Sequence, residues 1–438
     1  MQEKLLQAKD LAEVDPEYAL KLCNEVLDEE FDNDMALFIQ GFILMQSEKF
    51  GLAYNLFQRC AQLRPNQTEI YNNMGMCLEI DYPDRAMECF DKALAIHPKN
   101  HHAMINKALM HLKRAEPEKC VKLCTEALRI DPSSRAAHDN KAQGLLMLRE
   151  WAHGWDEYTY SWGGKHRRKR DFGLPEWEGQ ENATVIVYGE QGLGDEILFA
   201  SCVPDLQEMS KQVILECDRR LQNVFERSFG VEAFGTRYDE RSPITDWHAA
   251  DYVISAGELP RFFRRTHRSF PGDAYLKPDP ERCVQWQALL KTLPGLKIGI
   301  AWTGGLKNTG KAERSIDLDT LAPLFDLPHT LISLEYKEPD LLGYPIKHWS
   351  RAVDKSADFD ETLALINELD LVISVTTTVV HAAGALGKEC WCLVPKHPSF
   401  RFHLSGDMPW HKSVKLIRQD SSWEDVVFHV KRKLEALC

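Results

Sequence analysis

Three strings in this sequence combine glycine, hydroxyl and charge in patterns that suit an anionic ligand. The first is Gly189-Glu190-Gln191-Gly192-Leu193-Gly194-Asp195, which follows a β-branched run and opens a helical one. Glycines let the main chain come close to a ligand, and the N–H groups that start a helix favour an anion. Gly192 and Gly194 are the contact candidates. The order G-x-x-G-x-G is not the dinucleotide fingerprint. Asp195 reads two ways from its spacing, as a helix cap or as a general base.

The second string is Ser374-Val375-Thr376-Thr377-Thr378-Val379-Val380-His381, continued by the small residues Ala382 to Gly387. An apolar strand gives way to hydroxyls and then to a closely packing helix. Thr377, Thr378 and the helix N–H groups suit a diphosphate, although either threonine also serves as an ordinary cap and His381 as a structural histidine. The third string is Ala301-Trp302-Thr303-Gly304-Gly305 with Lys307, Lys311 and Arg314 behind it. Cations at the carboxyl end of a strand complement diphosphate charge; the alternative is a solvated charged loop. Two D-x-D strings, Asp317/Asp319 and Asp358/Asp360, stand before helices, where aspartate is a common cap; we expect no metal there. The basic run His166-Arg167-Arg168-Lys169-Arg170 reads as a solvated face between domains.

The elements that must position these strings alternate. Strands are predicted at 184–188, 212–216, 252–255, 297–302, 330–335, 371–374 and 390–394, and helices at 195–209, 280–290, 318–325, 359–369 and 380–386. Such alternation argues for parallel, doubly wound sheets. The proline-rich stretch 271–280 and the break at Leu293-Pro294-Gly295 divide the region into two lobes, with a ligand expected between them at the carboxyl ends of the strands.

The first 160 residues differ. Pro65, Pro98 and Pro132 recur at intervals of 33 and 34 residues, each after an amphipathic helix. Each of those helices follows another that carries a small residue, Gly41, Gly75 or Ala108. The pattern resembles the tetratricopeptide repeat over units Asp34–Gln67, Thr68–Asn100 and His101–Ser134, with a divergent unit before and an incomplete one, ending near Tyr158, after. Small residues let paired helices approach, a large residue fills the gap, and proline ends the pair.

The net charge of −13 is carried almost equally by the first 150 residues and the rest, so neither half is a basic nucleic-acid platform. No apolar run approaches the roughly 20 residues of a membrane span. The segment Met1–Ala12 does not read as a signal peptide, and twelve scattered cysteines without a C-x-x-C pair read as reduced thiols, so a cytoplasmic location is expected.

Taken in order, the strings resemble a family in which tetratricopeptide repeats precede a glycosyltransferase module, itself similar to the ADP-heptose heptosyltransferases and to the O-linked N-acetylglucosamine transferases. Matching segments include 154–158, 174–177, 190–195, 297–302, 314–316, 369–375 and 381–387. The resemblance implies a GT-B fold: repeats over 1–160, an acceptor-side Rossmann-like lobe over 161–292, and a donor-side lobe over 293–438. It implies a metal-independent glycosyltransferase that uses a nucleotide-diphosphate sugar and a hydroxyl-type acceptor. No cofactor beyond the donor is expected, and the repeat groove would take a protein or peptide. It maps the base to Asp195, the diphosphate cations to Lys311 and Arg314, and the phosphate turn to Thr377, Thr378 and His381. Gly192 and Gly194, on the acceptor-side lobe, are candidates for contact with the donor, and Glu335, at a strand end, is a candidate for a donor ribose. One position departs from the family: Thr376 stands where it has aspartate. That departure motivates a second reading, an interaction scaffold with a degenerate transferase module. A nucleotide-sugar epimerase on the same fold is a third.

Overall fold

The computed structural model describes residues 1–162, 169–236, 250–305, 310–353 and 358–437. The chain divides into two compact units, Met1–Leu145 and Leu146–Cys438.

The first unit is a helical solenoid. Its helices are α1 (Gln2–Leu11), α2 (Pro16–Glu29), α3 (Asp34–Gln46), α4 (Phe50–Leu63), α5 (Thr68–Leu78), α6 (Pro83–Ile96), α7 (His101–Lys113) and α8 (Pro117–Ile130), with α9 (Arg135–Met147) crossing the boundary. Each predicted repeat begins where the first helix of a pair begins. Asn33 and Asn100 cap α3 and α7 by accepting from the amides of Ala36 and Ala103. Pro83 and Pro117 occupy first-turn positions, where no N–H is needed. The expected small-against-large packing is present: a Cβ on Gly41 would lie 2.8 Å from the Phe57 ring, and one on Gly75 would lie 2.5 Å from the Phe90 ring. Side-chain amides, buried or half-buried, tie successive pairs together. Asn106 donates to Asn72 at 2.8 Å, and Asn140, one repeat further on, donates to the Ile105 carbonyl at 3.2 Å.

The second unit contains two parallel sheets. In the first, β1 (Thr184–Tyr188), β2 (Gln212–Glu216), β3 (Glu232–Phe234) and β4 (Tyr252–Ser255) lie in the order β3-β2-β1-β4. In the second, β5 (Lys297–Ala301), β6 (Thr330–Ser333), β7 (Ile346–Lys347), β8 (Leu371–Val375), β9 (Cys390–Val394) and β10 (Val414–Arg418) lie in the order β10-β9-β8-β5-β6-β7. In each sheet the chain steps outward from its first strand, then returns to pair on that strand's other flank. The order therefore reverses between β1 and β4, and again between β5 and β8. Such reversals leave a crevice at the carboxyl ends of the strands, where open α/β sheets bind ligands.

The helices of this unit are α10 (Trp151–Tyr158), α11 (Leu193–Ala200), α12 (Val203–Met209), α13 (Gln222–Phe229), α14 (Leu259–Phe263), α15 (Pro280–Leu290), α16 (Lys311–Arg314), α17 (Leu318–Leu321), α18 (Asp360–Glu368), α19 (Thr378–Ala385) and α20 (Trp423–Glu435). The single helix predicted at 195–209 is two, broken at Ser201–Cys202, because Pro204 fits only in a new first turn. Likewise Pro323 turns the end of the predicted 318–325 helix into a 3₁₀ turn. Helix α10 belongs to the second unit. Its Trp155 is buried among Phe199, Phe400 and Trp410, and donates from Nε1 to the Arg264 carbonyl at 3.1 Å.

Candidate functional site

The glycine string leaves β1 at the first reversal point. Gln191 takes a left-handed conformation, φ 62°, and Gly192 occupies the N-cap of α11. Asp195, three residues on, accepts from the Gly192 amide through Oδ2 at 3.2 Å. The capping role is thus realised, and it uses one oxygen. The other, Oδ1, contacts Nη2 of Arg401 at 2.5 Å. Gly189 is required by crowding, since a Cβ there would lie 2.7 Å from the Glu196 carboxyl carbon. Glu190 is buried against Gly257.

The hydroxyl string leaves β8 at the second reversal point. Thr377 caps α19, its Oγ1 accepting from the Val379 amide at 3.3 Å and bonding Ser374 Oγ at 3.1 Å. Arg314 reaches the same turn: Nε donates to Thr376 Oγ1 at 3.1 Å and Nη2 donates to the Thr376 carbonyl. Gly304 permits this, because a Cβ there would lie 2.5 Å from the Arg314 carbonyl oxygen. Glu335 is buried beneath the loop after β5 and accepts from the Trp302 and Thr303 amides at 2.7 and 2.8 Å; burial pushes its carboxyl pKa up. Its contacts shape the loop from below, within electrostatic reach of Lys311. Lys311 is exposed at the start of α16, and Lys307 lies outside the described residues.

Gly194 joins the two halves. A Cβ on it would lie 3.0 Å from Thr378 Oγ1 and 3.5 Å from His381 Cδ2, so glycine is what lets α11 meet α19. The structure thereby brings Asp195, Gly194, Thr378, His381 and Arg314 into one cluster. It adds Arg401, which the sequence reading missed. This arginine comes from the loop after β9, lies over the Phe400 ring at 4.4 Å, and donates to Gln191 Oε1 at 2.8 Å. Gln191 in turn bonds the Tyr158 hydroxyl. The available signal was the triplet Phe400-Arg401-Phe402, a cation between aromatics just after a buried strand.

Electrostatically the cluster is cationic and sheltered. Burial, then the neighbouring Arg401 charge, lower the pKa of the Arg314 guanidinium from the ordinary arginine value. Burial, then Arg401 and Arg314, push His381 down to about 3, so its imidazole is neutral; its Nδ1 is buried without a hydrogen-bond partner among the described residues. Two guanidinium groups, one carboxylate and a helix N-terminus make a place for a polyanion beside a carboxylate.

The D-x-D expectation needs one correction. Asp317 caps α17 through the Thr320 amide and Asp319 accepts from the Tyr344 hydroxyl. Asp358 accepts from the Asp360 amide that opens α18, at 3.2 Å, and also takes both prongs of Arg282 at 2.6 and 2.8 Å, whereas Asp360, expected as a cap, pairs with Arg227. No group of three or more His, Cys, Asp or Glu side chains placed to hold a metal occurs among the described residues. Of the basic run, 166–168 lie outside the described residues, while Lys169 and Arg170 pair with Glu176 and Glu216. No helix among the described residues is long and apolar enough to cross a membrane.

No family model matches the chain. It is similar to the protein FlbA of Caulobacter vibrioides, 29% identical over 404 residues, which is 84% of this chain and 67% of that protein. It is also similar to the tetratricopeptide repeat-containing protein trd-1 of Caenorhabditis elegans, 24% identical over 109 residues, 25% of this chain and 14% of that one. Among solved structures, a thermophilic tetratricopeptide protein of Thermus thermophilus matches 36% of this chain and 89% of its own, at 14% identity and a TM-score of 0.33. The first unit of the chain is a tetratricopeptide-repeat array, and it precedes a region of parallel sheets.

Proposed function

We propose that the second unit is a metal-independent glycosyltransferase of the GT-B type, moving a sugar from a nucleotide-diphosphate sugar to a hydroxyl acceptor. The observation that carries this reading is the meeting of Asp195, from the first reversal point, with Arg314 and the α19 N-terminus, from the second. A carboxylate that can take a proton then stands beside cations that can take a diphosphate.

In the proposed reaction the acceptor oxygen bonds to the anomeric carbon as that carbon's bond to the diphosphate oxygen breaks. The electron pair leaves on the diphosphate, and the acceptor's proton passes to Asp195. Arg314, Arg401 and the amides opening α19 stabilise the departing charge, with Lys311 at the rim. Neutral His381 and Thr378 shape the floor, and Gly192 and Gly194 keep the main chain close. Arg314 resting on Thr376 also gives the family departure a reading: a hydroxyl and a carbonyl orient the guanidinium where the family has aspartate, leaving more positive charge for the donor. The repeat array would bring the acceptor, a protein or peptide.

The test is a panel of nucleotide sugars and nucleoside diphosphates, scored by melting temperature and by release of nucleoside diphosphate in EDTA. A ligand that binds only the folded state must stabilise it. The reading expects at least one compound to raise the melting temperature and to turn over in the chelator. If none binds, the module is no transferase and the interaction-scaffold reading takes its place. Turnover that requires added manganese or magnesium contradicts the metal-independent mechanism.

A further inference from the structure

We infer that Arg401 is a ligand of the donor diphosphate and that, until a diphosphate draws it away, it holds Asp195; the inference rests on the transferase reading above. Three observations point there. Arg401 grips the one oxygen of Asp195 that the α11 cap leaves over, at 2.5 Å. Its Nε is buried and has no hydrogen-bond partner among the described residues, so the guanidinium fork is only partly used. The residues around it are a second guanidinium, Arg314, and a neutral imidazole, His381, so added negative charge is favoured at this point.

The chemistry of the two competing anions sets the direction of exchange. A carboxylate offers a guanidinium one negative charge. A nucleoside diphosphate offers more charge, spread over several oxygens, in the geometry that suits a planar fork. Arg401 also has a pivot: Gln191 accepts from it at 2.8 Å and is itself held by the Tyr158 hydroxyl, so the guanidinium can leave Asp195 without leaving the site. The Phe400 ring, 4.4 Å from the guanidinium carbon, adds a cation–π contact.

The consequence is an order of events. While Arg401 holds Oδ1 and the Gly192 amide holds Oδ2, both oxygens of Asp195 are engaged and neither is open to an acceptor hydroxyl. Donor binding moves Arg401 onto the diphosphate, and Asp195 is then released for the acceptor. Donor binds first, and the base is disarmed whenever no donor is present.

Competition for one arginine gives a thermodynamic signature that does not depend on catalysis. Titration calorimetry of the full chain with UDP, GDP and ADP is the measurement, on wild type, Asp195→Asn, Arg401→Gln and the double variant. Both substitutions are near-isosteric, and glutamine keeps a stem over Phe400. The inference expects Asp195→Asn to tighten the nucleotide by roughly three- to tenfold and Arg401→Gln to weaken it by about tenfold or more. It expects the double variant to match Arg401→Gln alone, so that the gain from removing Asp195 needs the arginine. Nucleotide binding that Asp195→Asn leaves unchanged or weakens, or that ignores Arg401→Gln, overturns the inference and leaves the transferase reading standing. Wild-type protein that binds none of the three nucleotides overturns both.

Discussion

The repeat array and the candidate site use the same packing device to opposite ends. In both, a glycine on one helix lets a second helix or ring approach inside normal Cβ distance. In the array, Gly41 and Gly75 each meet a phenylalanine, and Phe57 and Phe90 are wholly buried. In the site, Gly194 meets Thr378 and His381, one of whose nitrogens has no partner among the described residues, with two guanidinium groups alongside. Close approach filled by an aromatic yields stability. Close approach that gathers polar groups at two strand-order reversals yields, on the proposed reading, a place for a ligand. Glycine spacing alone therefore does not separate scaffold from site; what each glycine faces does.

Breaking the filled contact should have the largest effect on folding. Phe90→Ala is expected to destabilise the array by about 3–5 kcal/mol, because an empty space replaces a packed ring. Chemical denaturation followed by circular dichroism would show it, with nucleotide binding by the second unit unchanged. A loss of nucleotide binding equal to the loss of helix would undo the distinction between the two regions.

Gly194→Val tests the other contact. Overpacking against Thr378 is expected to cost about 1–3 kcal/mol and to abolish nucleotide binding, since α11 and α19 must separate. A folded Gly194→Val protein that binds nucleotide normally would show that their approach is not needed.

The buried histidines sharpen the contrast through pH. His381 and His403 are both held near 3 by burial and neighbouring arginines, against an ordinary value of 6.5. The folded chain keeps them neutral, so the unfolded chain binds more protons as pH falls, and stability is lost between about pH 6.5 and pH 3. The slope is about 1.4 kcal/mol per pH unit for each group, until the second unit unfolds. Denaturation midpoints at pH 7 and pH 5 should differ accordingly, and His403→Gln should reduce the difference. An unchanged slope in that variant would remove His403 from the account.

The smallest effect is expected at the amide ladder. Asn106→Ala removes the donor to Asn72 and should cost about 1 kcal/mol in the array, with no change in the site. No loss of array stability in a melting curve would show that the bond is neutral.

The repeats were legible because their signal is local: small residues, an aromatic or cysteine, and proline recur in register. The strands that carry the site were legible for the same reason, since β1, β5, β8 and β9 are buried along most of their length and read as apolar runs. The missed strands β3, β7 and β10 are short or sit at sheet edges with exposed positions, so no such run marks them. Asp195, Arg314 and the threonines were legible as strings at strand ends. Arg401 was not: its triplet with Phe400 and Phe402 marks a cation between aromatics, but where that loop returns to meet Asp195 is a long-range contact that the triplet does not encode.

The central claim is that Asp195 takes a proton beside a bound diphosphate. The direct measurement is release of nucleoside diphosphate from a bound nucleotide sugar, with water as the acceptor, in wild type and Asp195→Asn. The substitution keeps the shape and most of the cap, so the melting curve should move by no more than about 1 kcal/mol. Release should fall by roughly 10²–10⁴-fold while nucleotide still binds. A variant that folds, binds nucleotide and releases product at the wild-type rate would leave Asp195 a helix cap and contradict the account.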